Sequence, residues 1–128
     1  MRMKSEIKTL WVEALRSGLY KQGYSRLITA DPSGREASRF CCLGVLCNLH
    51  AKANPRIESN SLDPHSYLGS VATLPWEVYV WSGLDSNNPI VKAPPEDKDS
   101  GCLKTLAEIN DSGKFDFIKI ASIIEEQL

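Results

Sequence analysis

Apolar side chains recur at helical spacing near the start of the chain. Ile7, Leu10, Trp11, Ala14 and Leu15 fall at i, i+3, i+4, i+7 and i+8, which predicts a helix with one buried face that ends at Gly18. The pattern then changes. Residues 19–24 carry no clear period and read as a connector. Ser25 to Thr29 reads as a short strand ahead of the turn Asp31-Pro32-Ser33-Gly34, with Ala37 to Phe40 returning as its hairpin partner. A second helix is expected from about Cys41 to Ala51, on the apolar positions Cys42, Leu43, Val45, Leu46 and Leu49. Gly44 inside it implies a close approach by a neighbour.

Asn54-Pro55 ends that helix, and Glu58 to Ser70 is rich enough in Ser, Asn, Asp, Pro and Gly to read as a surface loop. Thr73-Leu74-Pro75 signals a new helix start, with Pro75 in the first turn and Leu74, Val78 and Trp81 on one face, running to about Ser82. Residues 83–89 break it, Ile90-Val91 reads as a short strand, and Ala93 to Ser100 as a charged, Pro-rich loop. Leu103, Leu106, Ala107 and Ile109 predict a further short helix. Asn110-Asp111-Ser112-Gly113 is a turn, and Phe117, Ile120, Ala121, Ile124 and Leu128 mark a final amphipathic helix. The whole is a single α+β domain over residues 1–128, helix-rich with a small antiparallel hairpin or sheet. Its core should include Trp11, Leu15, Leu43, Leu46, Trp81, Leu106, Ile120 and Ile124.

Composition narrows the function classes. With 128 residues and 42% hydrophobic content, the chain can build a core without disulfide or metal staples. Fifteen basic against sixteen acidic residues give a net charge of -1. That offers no overall pull toward extended nucleic acid or an anionic membrane, so any basic site must be local. No apolar run is long enough to span a bilayer, and the N-terminal segment is amphipathic rather than an apolar signal core. A cytoplasmic protein with reduced thiols is expected.

Three cysteines, Cys41, Cys42 and Cys47, lie within seven residues, and the fourth, Cys102, is distant. A thiol at the entrance of a helix feels the amide dipoles there, which favour thiolate. Cys41 or Cys42 would therefore suit a cysteine-dependent hydrolase, with His65 as base and Asp63 to orient it. The bland alternative is packing, since free cysteine is commonly buried. Cys47 and His50 are three apart and share a helical face, with Cys42 further back, which is the beginning of a zinc set. Only His65 and Cys102 remain as further donors, and no second short-spaced pair exists, so no metal site is assigned. Asp85-Ser86-Asn87-Asn88 and residues 110–113 are oxygen-rich but lack the spacing of a calcium loop, and read as turns.

Trp11, Trp76, Trp81, Tyr20, Tyr24 and Tyr79 offer faces for a nucleobase, and Arg16, Lys21, Arg26, Arg35 or Arg39 could hold phosphate. Trp11 and Trp81 fit apolar helical stripes and read as core. Tyr20, Tyr24, Arg26 and Arg35 border turns instead, and are the predicted ligand-binding residues. No phosphate-binding loop or Gly-rich dinucleotide fingerprint occurs, so no cofactor is assigned.

Three segments, Trp11-Val12-Glu13-Ala14-Leu15-Arg16-Ser17-Gly18, Phe40-Cys41-Cys42-Leu43-Gly44-Val45-Leu46-Cys47 and Leu106-Ala107-Glu108-Ile109-Asn110-Asp111-Ser112-Gly113-Lys114-Phe115, occur in this order. In that combination the chain resembles a group of small, largely uncharacterised phage and bacterial proteins. The resemblance implies a phage or bacterial setting, in which small proteins often antagonise a host defence factor or sequester its nucleotide signal. The expected function is thus a non-enzymatic binding protein, with a host protein or a small nucleotide as partner. The cysteine-dependent hydrolase is the alternative, and the oligomeric state stays open.

Overall fold

The computed structural model describes residues 3–30, 33, 35, 38–54 and 66–128. The chain runs α1 (Ser5–Arg16), β1 (Lys21–Gln22), β2 (Ile28–Thr29), β3 (Arg39–Phe40), α2 (Cys42–Ala53), α3 (Trp76–Ser82), β4 (Ile90–Lys92), β5 (Leu103–Thr105), α4 (Leu106–Asp111) and α5 (Phe117–Gln127). It is an α+β fold with two small sheets. The expected antiparallel pairing exists but is shorter: of Ser25 to Thr29 only Ile28 and Thr29 pair with Phe40 and Arg39, Ser25 adopts φ +69°, and Ala37 lies outside the described residues. Lys21 and Gln22 join the other edge of β3 in parallel, giving the order β1-β3-β2. The segment read as a connector therefore contains a strand. Parts of the predicted Asp31–Gly34 turn and of the Glu58 to Ser70 loop lie outside the described residues, as do Asp63 and His65.

Helix α1 buries Ile7, Trp11, Val12 and Leu15 and packs chiefly on α5 and α2; of the predicted stripe, Leu10 is exposed and Ala14 only partly buried, while Val12 joins the buried face. Its last turn holds Arg16, a cation where the helix dipole favours one. Helix α2 is the central element: every residue from Cys42 to Cys47 is buried, because α1, α3 and α4 all contact it. Gly44 is required there, since a Cβ would stand 1.8 Å from the backbone oxygen of Leu27. Helix α3 starts after Pro75, which occupies the N-cap rather than the first turn, and stops at Gly83 in the left-handed conformation, φ +86°.

The predicted helix around Leu103 to Ile109 divides. Leu103–Thr105 pairs with β4 in register Lys92↔Leu103 and Ile90↔Thr105, and α4 begins only at Leu106. Thr105 sets this boundary. Its hydroxyl accepts from the Glu108 amide at 3.2 Å while the Glu108 carboxylate accepts from the Thr105 amide at 3.4 Å, a reciprocal cap that nucleates the helix at that point. Asp116 caps α5 by accepting from the Lys119 amide at 2.9 Å. All the predicted core residues are buried except Trp81, which is half-buried against the core. Each such buried Leu or Ile stabilises the fold by roughly 1.5–3 kcal/mol. No helix among the described residues is long and apolar enough to cross a membrane.

Candidate functional site

The cysteine cluster is core. Cys41 occupies the N-cap of α2, where its Sγ accepts from the Gly44 amide at 3.4 Å, and only 3% of the residue is exposed. Desolvation pushes its thiol up to about 11, although the helix amides of Gly44 and Leu43 pull the other way. The dipole that should favour thiolate is real but loses to burial. Desolvation also drives Cys42 and Cys47 well above the usual thiol range. Cys102, by contrast, is exposed. His50 is buried on α2, with Nδ1 2.7 Å from the Tyr67 hydroxyl and its ring edge-on to Trp81 and Tyr67. Burial lowers its pKa, while Glu77 pulls in the opposite direction.

Around Cys42 the sequence motifs meet. Trp11 Nε1 donates to the Cys42 carbonyl at 2.9 Å, and the Cys42 amide donates to Asn110 Oδ1 at 3.2 Å. Asn110 is fully buried and works on both ends of its amide. Oδ1 also accepts from Gln22 Nε2 at 3.1 Å, and Nδ2 donates to the Gly23 carbonyl at 2.8 Å and to Asp111 Oδ1 at 3.1 Å. Asp111 in turn accepts from the Ser25 amide at 2.8 Å, across a turn where Ser25 adopts φ +69°. One side chain thus ties α4 to β1, to the start of α2 and to the 23–25 turn. The turn expected over residues 110–113 begins later, because Asn110 and Asp111 belong to α4, with Asn110 four residues after Leu106 on its buried face.

This hub fixes one wall of an open groove of about 420 Å³, lined by Gln22, Tyr24, Glu96, Lys114, Phe115, Asp116 and Lys119. A second hollow of about 220 Å³ shares Gln22 and Asp116 and adds Leu15, Tyr20, Phe117 and Ile118. Gln22 is held in place by a further bond from its Nε2 to the Phe115 carbonyl at 3.0 Å. Tyr24 offers a half-exposed ring. Lys119 is engaged with Glu96 at 2.9 Å, and the hydrogen bond it donates is the main cause holding the Glu96 carboxyl below its ordinary pKa. Lys114 forms no ion pair among the described residues, although its charge helps to hold the Asp97 carboxyl below its ordinary pKa.

Of the four predicted ligand residues, Tyr24 lines the larger groove and Tyr20 the smaller. Tyr20 is also a packing residue: its hydroxyl donates to Asn48 Oδ1 at 2.5 Å and its ring meets Phe40 edge-on. Arg26 and Arg35 are exposed and line neither hollow. Arg16 is committed to Glu125 at 3.1 Å. Gln22 and Lys114 also belong to the groove, and nothing local in the sequence distinguishes them from solvated polar residues. No curated protein and no solved structure matches the chain. A family of domains defined so far only as one of unknown function, DUF8296, matches residues 3–128, and the chain belongs to that family.

Proposed function

We propose that the domain is a non-enzymatic binding protein whose ligand site is the groove over β1 and the start of α5. The observation that carries this reading is the contrast between thiols and groove. The clustered cysteines are buried, and desolvation raises their thiol pKa values, whereas Tyr24 and Lys114 bring a ring and a cation outside any described ion pair to one open hollow. A ligand with one planar ring and one anionic group suits this lining, the ring on Tyr24 and the anion on Lys114. The paired charges of Glu96 and Lys119 and the carboxylate of Asp116 disfavour a polyphosphate at the same place. A nucleoside monophosphate is therefore the favoured class, and uptake of a host nucleotide signal in the cytoplasm by a phage or bacterial protein is the activity it would serve.

Thermal-shift screening of mononucleotides and cyclic nucleotides tests this reading. A ligand at a hundredfold its Kd adds ~2.7 kcal/mol, a rise in Tm on the order of 10 °C. Tyr24→Ala and Lys114→Gln should each remove most of it, and stabilisation by no nucleotide would overturn the proposal. A second reading, a host protein as partner, draws on Trp76 and Val80. These lie one turn apart on α3 and are 65% and 55% exposed. Trp76→Ala would then abolish capture of that partner without altering nucleotide response. Cys41 and Cys42 as hydrolase nucleophiles gain no support from their burial.

A further inference from the structure

The outer face of the three-stranded sheet carries a feature that the groove does not use. Lys21 and Arg39 are register partners across the parallel β1-β3 ladder, so their side chains project from the same face on strands about 4.8 Å apart. Both are exposed. Like charges directly opposite one another destabilise a sheet, and neither makes an ion pair among the described residues. Across β3, Thr29 is the next register partner of Arg39, which places a hydroxyl beside the two cations on that face. Arg39 Nη1 donates to the Gln22 carbonyl at 3.3 Å, which holds the guanidinium near the sheet surface over β1 and leaves its remaining N–H groups for a ligand. Gln22 turns toward the groove wall, so by strand alternation Lys21 points away from it. This is a separate site.

We propose that Lys21, Arg39 and Thr29 form a phosphate clamp on the outer face of the sheet. Two cations one strand apart match a single dianionic phosphate group, with the guanidinium donating in parallel to two oxygens and the ammonium to a third. The patch is one residue deep along each strand, and the whole chain carries a net charge of -1. Both facts favour the phosphate of a small ligand over a long polyanion.

Titration with inorganic pyrophosphate at low ionic strength, followed by amide NMR, tests the clamp. Saturable shifts at Lys21, Thr29 and Arg39 are expected. Affinity should fall at least fivefold in Lys21→Gln and stay unchanged in Lys98→Gln, a change in an exposed loop. Stability provides an independent readout. Without ligand, Lys21→Gln relieves the like-charge pair, so Tm should rise by roughly 1–3 °C at low salt, and the gain should vanish near ~0.5 M salt. Pyrophosphate bound equally well by Lys21→Gln, or a lowered Tm for that variant, overturns the proposal. Lys21-dependent binding to phosphatidylserine vesicles far tighter than to pyrophosphate would overturn the small-ligand assignment. Tyr24→Ala should leave this titration untouched, so failure of the groove and failure of the clamp are distinguishable.

Discussion

Gly44→Ala sets two effects of opposite sign against each other at one atom. On helix propensity alone the substitution should stabilise α2 by about 1 kcal/mol, because glycine is the poorer helix former. The structure reverses that sign. The new Cβ would lie 1.8 Å from the Leu27 oxygen and 2.7 Å from its carbonyl carbon, backbone atoms that no rotamer change can move. Ordinary contact requires the Leu27 backbone to retreat by roughly 1.5 Å. The same oxygen accepts from the Cys41 amide at 3.3 Å, so that retreat also loosens a buried hydrogen bond, at a cost of about 1 kcal/mol. Overpacking typically costs ~1–3 kcal/mol. The loosened hydrogen bond and the propensity gain cancel, so a net loss of about 1–3 kcal/mol remains, or roughly 3–12 °C in Tm for a chain of this length. Urea denaturation followed by tryptophan fluorescence measures it directly. An unchanged or raised midpoint would mean that α2 and Leu27 do not approach as described, and the central packing argument would fail with it.

Asn110→Ala strips the Cys42 amide and the Gly23 carbonyl of their buried partner and should cost about 3 kcal/mol in urea titration, with Asn110→Asp nearly as damaging because the Gly23 carbonyl loses its donor. His50 has a folded pKa held below its ordinary value of about 6.5 by burial. The unfolded chain therefore takes the proton first, and stability present above pH ~6.5 should decline as pH falls toward the folded pKa, by at most about 1.4 kcal/mol per pH unit. His50→Asn should flatten that slope, and an identical acid dependence in the variant would refute the assignment. Iodoacetamide at neutral pH should alkylate the native protein once, at Cys102, against four times when denatured; native labelling of Cys41 would contradict its burial.

The helices were legible where one face carries its own period. Ile7, Trp11 and Leu15 announce α1, and Phe117, Ile120 and Ile124 announce α5, because burial there is decided by spacing within a single element. What escaped depends on partners distant in the chain. Lys21–Gln22 is two polar residues, and only the backbone of β3 makes it a strand. Leu103 fits a helical stripe with Leu106, yet it is 70% exposed, because pairing with Lys92 and the Thr105–Glu108 cap start the helix three residues later. Periodicity predicts a core position for Trp81, but it packs edge-on to His50 at the margin. The candidate site was legible only in its aromatic part. Tyr24 stands out beside Gly23, while Gln22 and Lys114 acquire a role only when the Asn110 hub brings β1 against the start of α5.

The three segments that carry the resemblance turn out to be one physical unit. Trp11 donates to the carbonyl of Cys42, Asn110 accepts from its amide, and the Cys42 thiol lies 3.8 Å from the Leu106 carbonyl. A tightly packed junction of this kind explains why a cysteine serves at position 42, as a small apolar side chain with a weak donor facing a carbonyl, without any need for chemistry at sulfur. It also explains why Gly44 must follow, since the Leu27 backbone closes over the same turn. Residues that make such a frame say little about a ligand. The side chains with functional freedom are those the frame holds outward: Tyr24 and Lys114 at the groove, and Lys21 and Arg39 on the sheet. Changing these four should leave the fold intact and alter binding, whereas changes at Cys42, Gly44 or Asn110 should alter binding only by way of stability.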